Sequence, residues 1–184
     1  MKLKKSLNVI GTLCLMTTLA ITAVEASAAE SQPSATANSE VLTLLKGKLS
    51  FKLQGYDVQP VPGNGPGKMY VNKQAKRVLI IGEEDVPLIS RSLSEQEALE
   101  SMEESIKERQ KQASPAYTVT SEKTENVKGL KVYHIEATSN MGGNNVLQDT
   151  LIATADNKFT VIQIISNPKN KAGHISAVNN ILGK

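Results

Sequence analysis

Apolar residues fall into short strand-like segments between residues 41 and 166 and take a helical period in two places, after Ser94 and at about 169–182. Leu49, Phe51 and Leu53 alternate with Lys48, Ser50 and Lys52, which is the pattern of a strand with one buried face. Residues 41–45 precede it across Lys46-Gly47, so a tight hairpin is expected. Residues 69–72 and 77–82 read as a second hairpin turning at 73–76. Its Val78-Leu79-Ile80-Ile81 run is apolar on both sides, which places that strand in the middle of a sheet. Helical grammar begins at Ser94-Glu95-Gln96-Glu97, where Ser94 and Glu97 can satisfy each other's backbone amides, and continues with Leu99, Met102 and Ile106 as an inward stripe. Ser114-Pro115 stops it. Four more strands follow at 117–121, 130–139, 145–154 and 159–166, separated by the turn formers Lys128-Gly129, Gly142-Gly143-Asn144 and Asp156-Asn157. In the last strand Phe159, Val161 and Ile165 face one way and Ile162 and Ile164 the other, so both faces are covered. A closing helix at about 169–182 presents Ala172, Ile175, Val178 and Leu182, with Gly183 as its stop. This order predicts an α+β domain, a mainly antiparallel sheet flanked by two α-helices.

The start of the chain follows a different grammar. Lys2, Lys4 and Lys5, a mostly apolar run over 7–24, and the small residues Ala26-Ser27-Ala28-Ala29 read as a signal peptide, 1–28, cleaved near Ala28/Ala29. A membrane span competes for the same run, but the cleavage site and the polar sequence after it favour export. The expected location is periplasmic, with no stable membrane span after cleavage. Residues 29–40 form a flexible tail or linker, and 41–184 one domain with a single core. Cys14 is the only cysteine and falls inside the signal. The exported part therefore holds no disulfide, zinc thiolate or cysteine nucleophile. Leu13 before Cys14 is a poor fit to the small residue that lipoprotein processing requires.

Charge changes the picture once the signal is set aside. The whole chain carries 21 basic and 18 acidic residues; Lys2, Lys4, Lys5 and Glu25 belong to the signal, and the remainder is close to neutral. That gives no electrostatic reason to expect nucleic acid or anionic lipid as a partner. The chain has two Phe, four Tyr and no Trp, too few rings for a stacking platform.

Few local motifs carry chemistry. Gly63-Asn64-Gly65-Pro66-Gly67-Lys68 has the glycines and lysine of a phosphate cradle, but Pro62 stands where its first Gly should be, Met69 replaces the Ser or Thr, and a strand follows. The prolines and glycines of 60–67 make this an exposed loop. His134 and His174 lack metal-ligand spacing and are expected to be satisfied or surface side chains. There is no Gly-x-Ser-x-Gly elbow, and no Ser, His and acid are grouped by sequence. Glu83-Glu84-Asp85 is expected to be a solvated strand end. No catalytic, cofactor-binding or metal residue is assigned, and no cofactor is expected. For a partner-contacting surface the sequence offers the 60–68 loop, with Gly63, Asn64 and Lys68, and the 141–145 turn, with Met141, Asn144 and Asn145.

Three segments carry a resemblance. Leu44-Leu45-Lys46-Gly47-Lys48-Leu49-Ser50-Phe51-Lys52-Leu53 resembles the opening hairpin of the DcrB family of enterobacterial envelope proteins. Met69-Tyr70-Val71 with Val78-Leu79-Ile80-Ile81-Gly82-Glu83-Glu84-Asp85 resembles its second hairpin, and Ala177-Val178-Asn179-Asn180-Ile181-Leu182 its closing helix. The resemblance implies a PsbP-like fold, an exported protein without catalytic residues, and involvement in phage uptake at the envelope. Many members are lipoproteins, and this chain departs from them at Leu13-Cys14. The reading is a non-enzymatic periplasmic interaction protein whose partner is an envelope or inner-membrane protein. Alternatives are a periplasmic chaperone or inhibitor holding an apolar client segment and, less favoured, a small-ligand binder or enzyme.

Overall fold

A strand that is apolar on both faces needs neighbours on both edges and cover above and below, and β5 (Arg77–Asp85) has all four. The computed structural model describes residues 39–88 and 91–184; the expected signal peptide at 1–28, Cys14 and the tail as far as 38 lie outside the described residues. β1 (Ser39–Leu44) and β2 (Leu49–Gln54) form a separate antiparallel pair. β3 (Asp57–Gln59), β4 (Lys68–Asn72), β5, β6 (Thr118–Val127), β7 (Leu130–Met141), β8 (Asn144–Ala155) and β9 (Lys158–Ser166) form a seven-stranded antiparallel sheet in the order β3-β4-β5-β9-β8-β7-β6. β5 lies between β4 and β9, so the first half of the chain joins the second at the centre of the sheet.

The two faces are covered separately. On one, Leu79, Leu151, Ile162 and Ile164 meet Leu49, Phe51 and Leu53 of β2 and Val178 and Ile181 of α2 (Lys171–Leu182). On the other, Ile135, Ile152, Phe159 and Val161 meet Leu99, Met102 and Ile106 of α1 (Glu95–Ala113). The domain is thus an α+β sandwich, with the first hairpin completing the α2 layer.

Local chemistry sets the joints. The Ser94 hydroxyl accepts from the Glu97 amide at 3.3 Å while the Glu97 carboxylate accepts from the Ser94 amide at 2.9 Å, the expected reciprocal cap. The last four strands are joined by three two-residue turns, Lys128-Gly129, Gly142-Gly143 and Asp156-Asn157, with positive φ at every position. Turns of that hand match the twist of the strands they join.

Several expectations are corrected. β6 runs on to Val127, because Glu122–Val127 bonds to β7 without needing an apolar face, and a register shift interrupts it between Val119 and Ser121. β3 is a short edge strand that the sequence pattern does not signal. The proline-rich loop holds a 3-10 turn, Pro62–Asn64, and Val61 beside it is buried. Glu83-Glu84-Asp85 is part of β5 and is engaged: Glu83 accepts from the Leu45 amide at 2.6 Å, and Asp85 pairs with Lys158 at 3.0 Å. That carboxylate holds a buried Leu45 whose φ of 52° is unusual for a side chain of its kind. In α2, Ala172 and Ile175 face outward, and the inward stripe is His174, Val178, Ile181 and Leu182.

Gly67 gives a direct test of the close strand approach at the end of the proline-rich loop. Its φ is +96°, and a Cβ there would lie 2.4 Å from the Ile81 carbonyl oxygen. Gly67→Ala should cost about 2–4 kcal/mol, and Gly143→Ala, with φ +81° and nothing nearby, about 1–2 kcal/mol. Urea denaturation of the two variants checks the order; equal losses would show that the contact with Ile81 does not matter.

Candidate functional site

Pairing in an antiparallel sheet puts opposite residues on the same face, and here it lines up polar groups beneath α2. His134 on β7, Asp149 on β8 and Ser166 on β9 all point to the α2 side, with Arg77 of β5 paired to Ser166. Asp149 sits between two imidazoles: Oδ2 is 2.8 Å from His134 Nε2 and Oδ1 is 2.9 Å from His174 Nε2. The His174 contact is close enough for charge interaction but falls outside good hydrogen-bond geometry. His174 Nδ1 is 2.8 Å from Ser166 Oγ, which accepts from Arg77 Nε at 3.0 Å. Ser166 Oγ thus stands between Arg77 and His174, and the tautomer of the His174 ring sets which of Oγ and Nδ1 donates to the other. The chain of contacts crosses the sheet from β5 to β7 and fastens α2 to it.

Electrostatics explain why the carboxylate tolerates this position. Burial pushes Asp149 up, but the contacts with His134 and His174 outweigh it and leave the group below its ordinary value. Ser166, His174 and Asp149 form a hydroxyl–imidazole–carboxylate series, yet Ser166 is 1 % exposed and engaged by Arg77. Its oxygen has no approach for a substrate, and the series works as structure.

Beside this bridge, where α2 no longer covers the sheet, lies an open groove of about 510 Å³. Its floor is β7 and β8, one wall is α2 with Ile175 and Leu182, and the other is edge strand β6 with Lys123 and Glu125. Glu125 is tied to Lys184 at 2.6 Å and to Lys123 at 3.4 Å, and Lys123 also reaches Glu136 at 3.0 Å. His134 is 3 % exposed, and its Nδ1 faces Glu125 Oε1 at 3.7 Å without a hydrogen-bond partner among the described residues. Among the described residues no group of three or more His, Cys, Asp or Glu side chains is placed to hold a metal ion. No described helix is long and apolar enough to cross a membrane.

The residues singled out from the sequence lie elsewhere. Gly63 and Asn64 are in the 3-10 turn, and Lys68 is exposed at the start of β4. Met141 is half-buried; Asn144 donates to the Gly142 carbonyl at 3.2 Å, and Asn145 accepts from Asn140 at 3.2 Å. The fold brings the two loops to one apolar cluster, where Val61 and Met69 meet Val146 and Ile165 with Met141 against them. That cluster is on the α1 face, opposite the groove. Sequence reasoning missed His134, Asp149 and His174 as a unit. The available signal was Asp149 at an inward position between Leu147 and Leu151, with His174 in helical phase with Val178 and Ile181.

No family model matches the chain, and no curated protein matches it in sequence. Solved structures do. The cyanobacterial PsbP protein CyanoP from Synechocystis sp. PCC 6803 superposes with a TM-score of 0.62 at 13 % identity, covering 84 % of this chain and 95 % of that one. A Ran-binding protein of Saccharomyces cerevisiae gives 0.46 at 14 % identity, covering 77 % and 84 % of the two chains. LpqN of Mycobacterium tuberculosis, described as involved in cell envelope biogenesis, gives 0.47 at 9 % identity, covering 82 % and 84 %. The match to the cyanobacterial protein shows that this chain has a PsbP-like β-sheet and helix fold.

Asp149→Asn should destabilise the domain by roughly 2–4 kcal/mol at neutral pH, since it leaves two buried rings facing an amide. The folded carboxyl is held below its ordinary value of 3.8. Its contribution is therefore present above that value and lost as pH falls through the folded one. Chemical denaturation should show the gap between Asp149→Asn and the parent narrowing below about pH 4; a gap independent of pH would show that the charge is not what matters.

Proposed function

We propose that this chain is an exported, non-enzymatic interaction module of the cell envelope and that the groove beside α2 receives its partner. The observation that carries the reading is the groove's make-up: an open trough with an apolar wall at Ile175 and Leu182, a charged rim at Lys123, Glu125 and Lys184, and a buried histidine floor. Apolar cover flanked by charge suits a segment of another polypeptide. Serine-nucleophile chemistry needs an approachable hydroxyl, and Ser166, which has the right neighbours for it, is sealed beneath α2. Export rests on the signal-like start of the sequence.

The finer reading follows the DcrB-like hairpins and closing helix: an envelope protein exploited during phage adsorption or DNA entry, with an envelope or inner-membrane protein as its partner. Thr138 is exposed and lines the groove, so Thr138→Trp would fill the trough from a position outside the core. Deleting the gene should abolish infection by a subset of a phage panel, with adsorption and DNA injection measured separately. The parent chain should restore it and Thr138→Trp should not. Unchanged infection by every phage would sink the phage reading, and full restoration by Thr138→Trp would move the partner surface off the groove.

A further inference from the structure

Among the described residues Arg77 is the only Lys or Arg that is buried, at 7 % exposed, and no carboxylate pairs with it. Its Nε donates to Ser166 Oγ at 3.0 Å, but Nη2 has no hydrogen-bond partner among the described residues. A buried guanidinium N–H without an acceptor is costly, and the place of this one shows what would satisfy it. Nη2 lies against the first turn of α2: a Cβ on Gly173 would fall 2.7 Å from it and 2.5 Å from Asn170 Oδ1. Because Gly173 has no side chain, the guanidinium reaches the helix backbone. Asn170 caps the helix by accepting from the Gly173 amide at 3.2 Å, and its Nδ2 donates to the Ala75 carbonyl at 3.3 Å. It stands beside Nη2 without bonding to it.

The surroundings are positive in a way that the near-neutral charge of the whole domain conceals. No acidic residue occurs between Asp57 and Glu83 or after Asp156. The fold lays these two acid-free stretches side by side: Arg77 pairs with Ser166, and the Asn167 amide donates to the Lys76 carbonyl at 3.3 Å. Exposed Lys76 is thereby set beside exposed Lys169 and Lys171, and none of the three has an ion-pair partner among the described residues. Lys73, in the same turn as Lys76, reaches Asp57 only at 3.7 Å and on exposed surface. α2 adds the positive end of its dipole, with no acid in its first turn.

We propose that the first turn of α2 is a binding site for a phosphate group, with Arg77 as its buried anchor. One phosphate oxygen accepts from Arg77 Nη2, and the start of the helix and the lysines at 76, 169 and 171 face the others. The Asn170 side chain turns aside to admit it, giving up the two contacts at 3.2 and 3.3 Å. A tetrahedral anion suits this place because its donors come from three directions: the guanidinium from beneath, the helix start from one side and the lysines from the other. Lys171 also lines the groove, but the site stands on Arg77 and the helix start and does not depend on what the groove binds.

The test titrates the purified full chain at neutral pH with inorganic phosphate, and separately with chloride at equal ionic strength, following the amide signals of Lys171, Ala172 and Gly173 by NMR. Phosphate should shift them saturably and chloride should not. Asn170→Asp keeps a good helix cap and sets a carboxylate of the chain's own beside Arg77, so it should fold and weaken phosphate binding about tenfold or more. Arg77→Gln should weaken it by a similar factor and Lys169→Gln by about two- to threefold, while Lys111→Gln on α1 leaves it unchanged. Sedimentation with phosphatidylcholine vesicles, with and without phosphatidylglycerol, separates the sources of the phosphate. Binding to the phosphatidylglycerol vesicles alone, lost in Asn170→Asp, assigns a lipid headgroup, whereas a response to inorganic phosphate without vesicle binding assigns a soluble phosphate compound. No response to either probe, chloride acting as well as phosphate, or binding unmoved by Asn170→Asp would each overturn the site.

Discussion

The central strands are apolar on both faces, and this constraint organises the molecule. β5, β8 and β9 carry Leu79, Leu151, Ile162 and Ile164 on one side and Ile80, Ile152, Val161 and Ile165 on the other. Neither side can be left to water, at about 25 cal/mol for each Å² of apolar surface exposed. One amphipathic helix is too narrow to cover seven strands. The α1 face is completed by Val61 of the proline-rich loop and the α2 face by the β1–β2 hairpin, whose Leu49, Phe51 and Leu53 all turn inward. The hairpin's separation from the main sheet follows from its use as cover.

Cover runs out toward β7 and β6, and the residues change there accordingly. On the α2 side the inward positions pass from Ile162 and Ile164 through Asp149 to His134, Glu136 and Lys123. Asp149 marks the border. A carboxylate there is tolerable because two imidazoles are directed at it, one from the sheet and one from α2, and the second fixes where the helix lies. Breaking such an arrangement by removing one member is costly, even where replacing the whole set with apolar residues would not be. The groove is the part of the sheet face that the helix, held by this border, leaves open.

What the sequence made legible was local. Alternation on β2, the capping box of α1 and the three two-residue turns each depend on residues within a few positions of one another, and each appears where the pattern puts it. The second half of β6 was not legible. Glu122–Val127 has no apolar alternation because it forms the sheet edge, where charged side chains discourage further pairing. The α2 stripe was misplaced for a related reason: a reading that sends only apolar residues inward gives the position to Ile175, whereas the fold gives it to His174, whose partners stand 8 and 25 residues away in sequence at Ser166 and Asp149. Hydrophobic periodicity does not register a polar residue that is buried because another polar residue awaits it.

The edge and the border also act on each other. β6 is held from one side by β7; toward α2 it adds buried Val127 and, at the rim, the contact of Glu125 with Lys184, while Lys123 ties Glu125 to Glu136. The buried bridge is strong and local, whereas the rim contacts are weak and shared among several partners. A structure built this way keeps α2 in place over its length, last turn included through Ile181 and Leu182, and leaves only the charged side chains beyond it at the rim. That division of strength puts the exchangeable charges of the molecule, rather than its packed core, along the mouth of the groove.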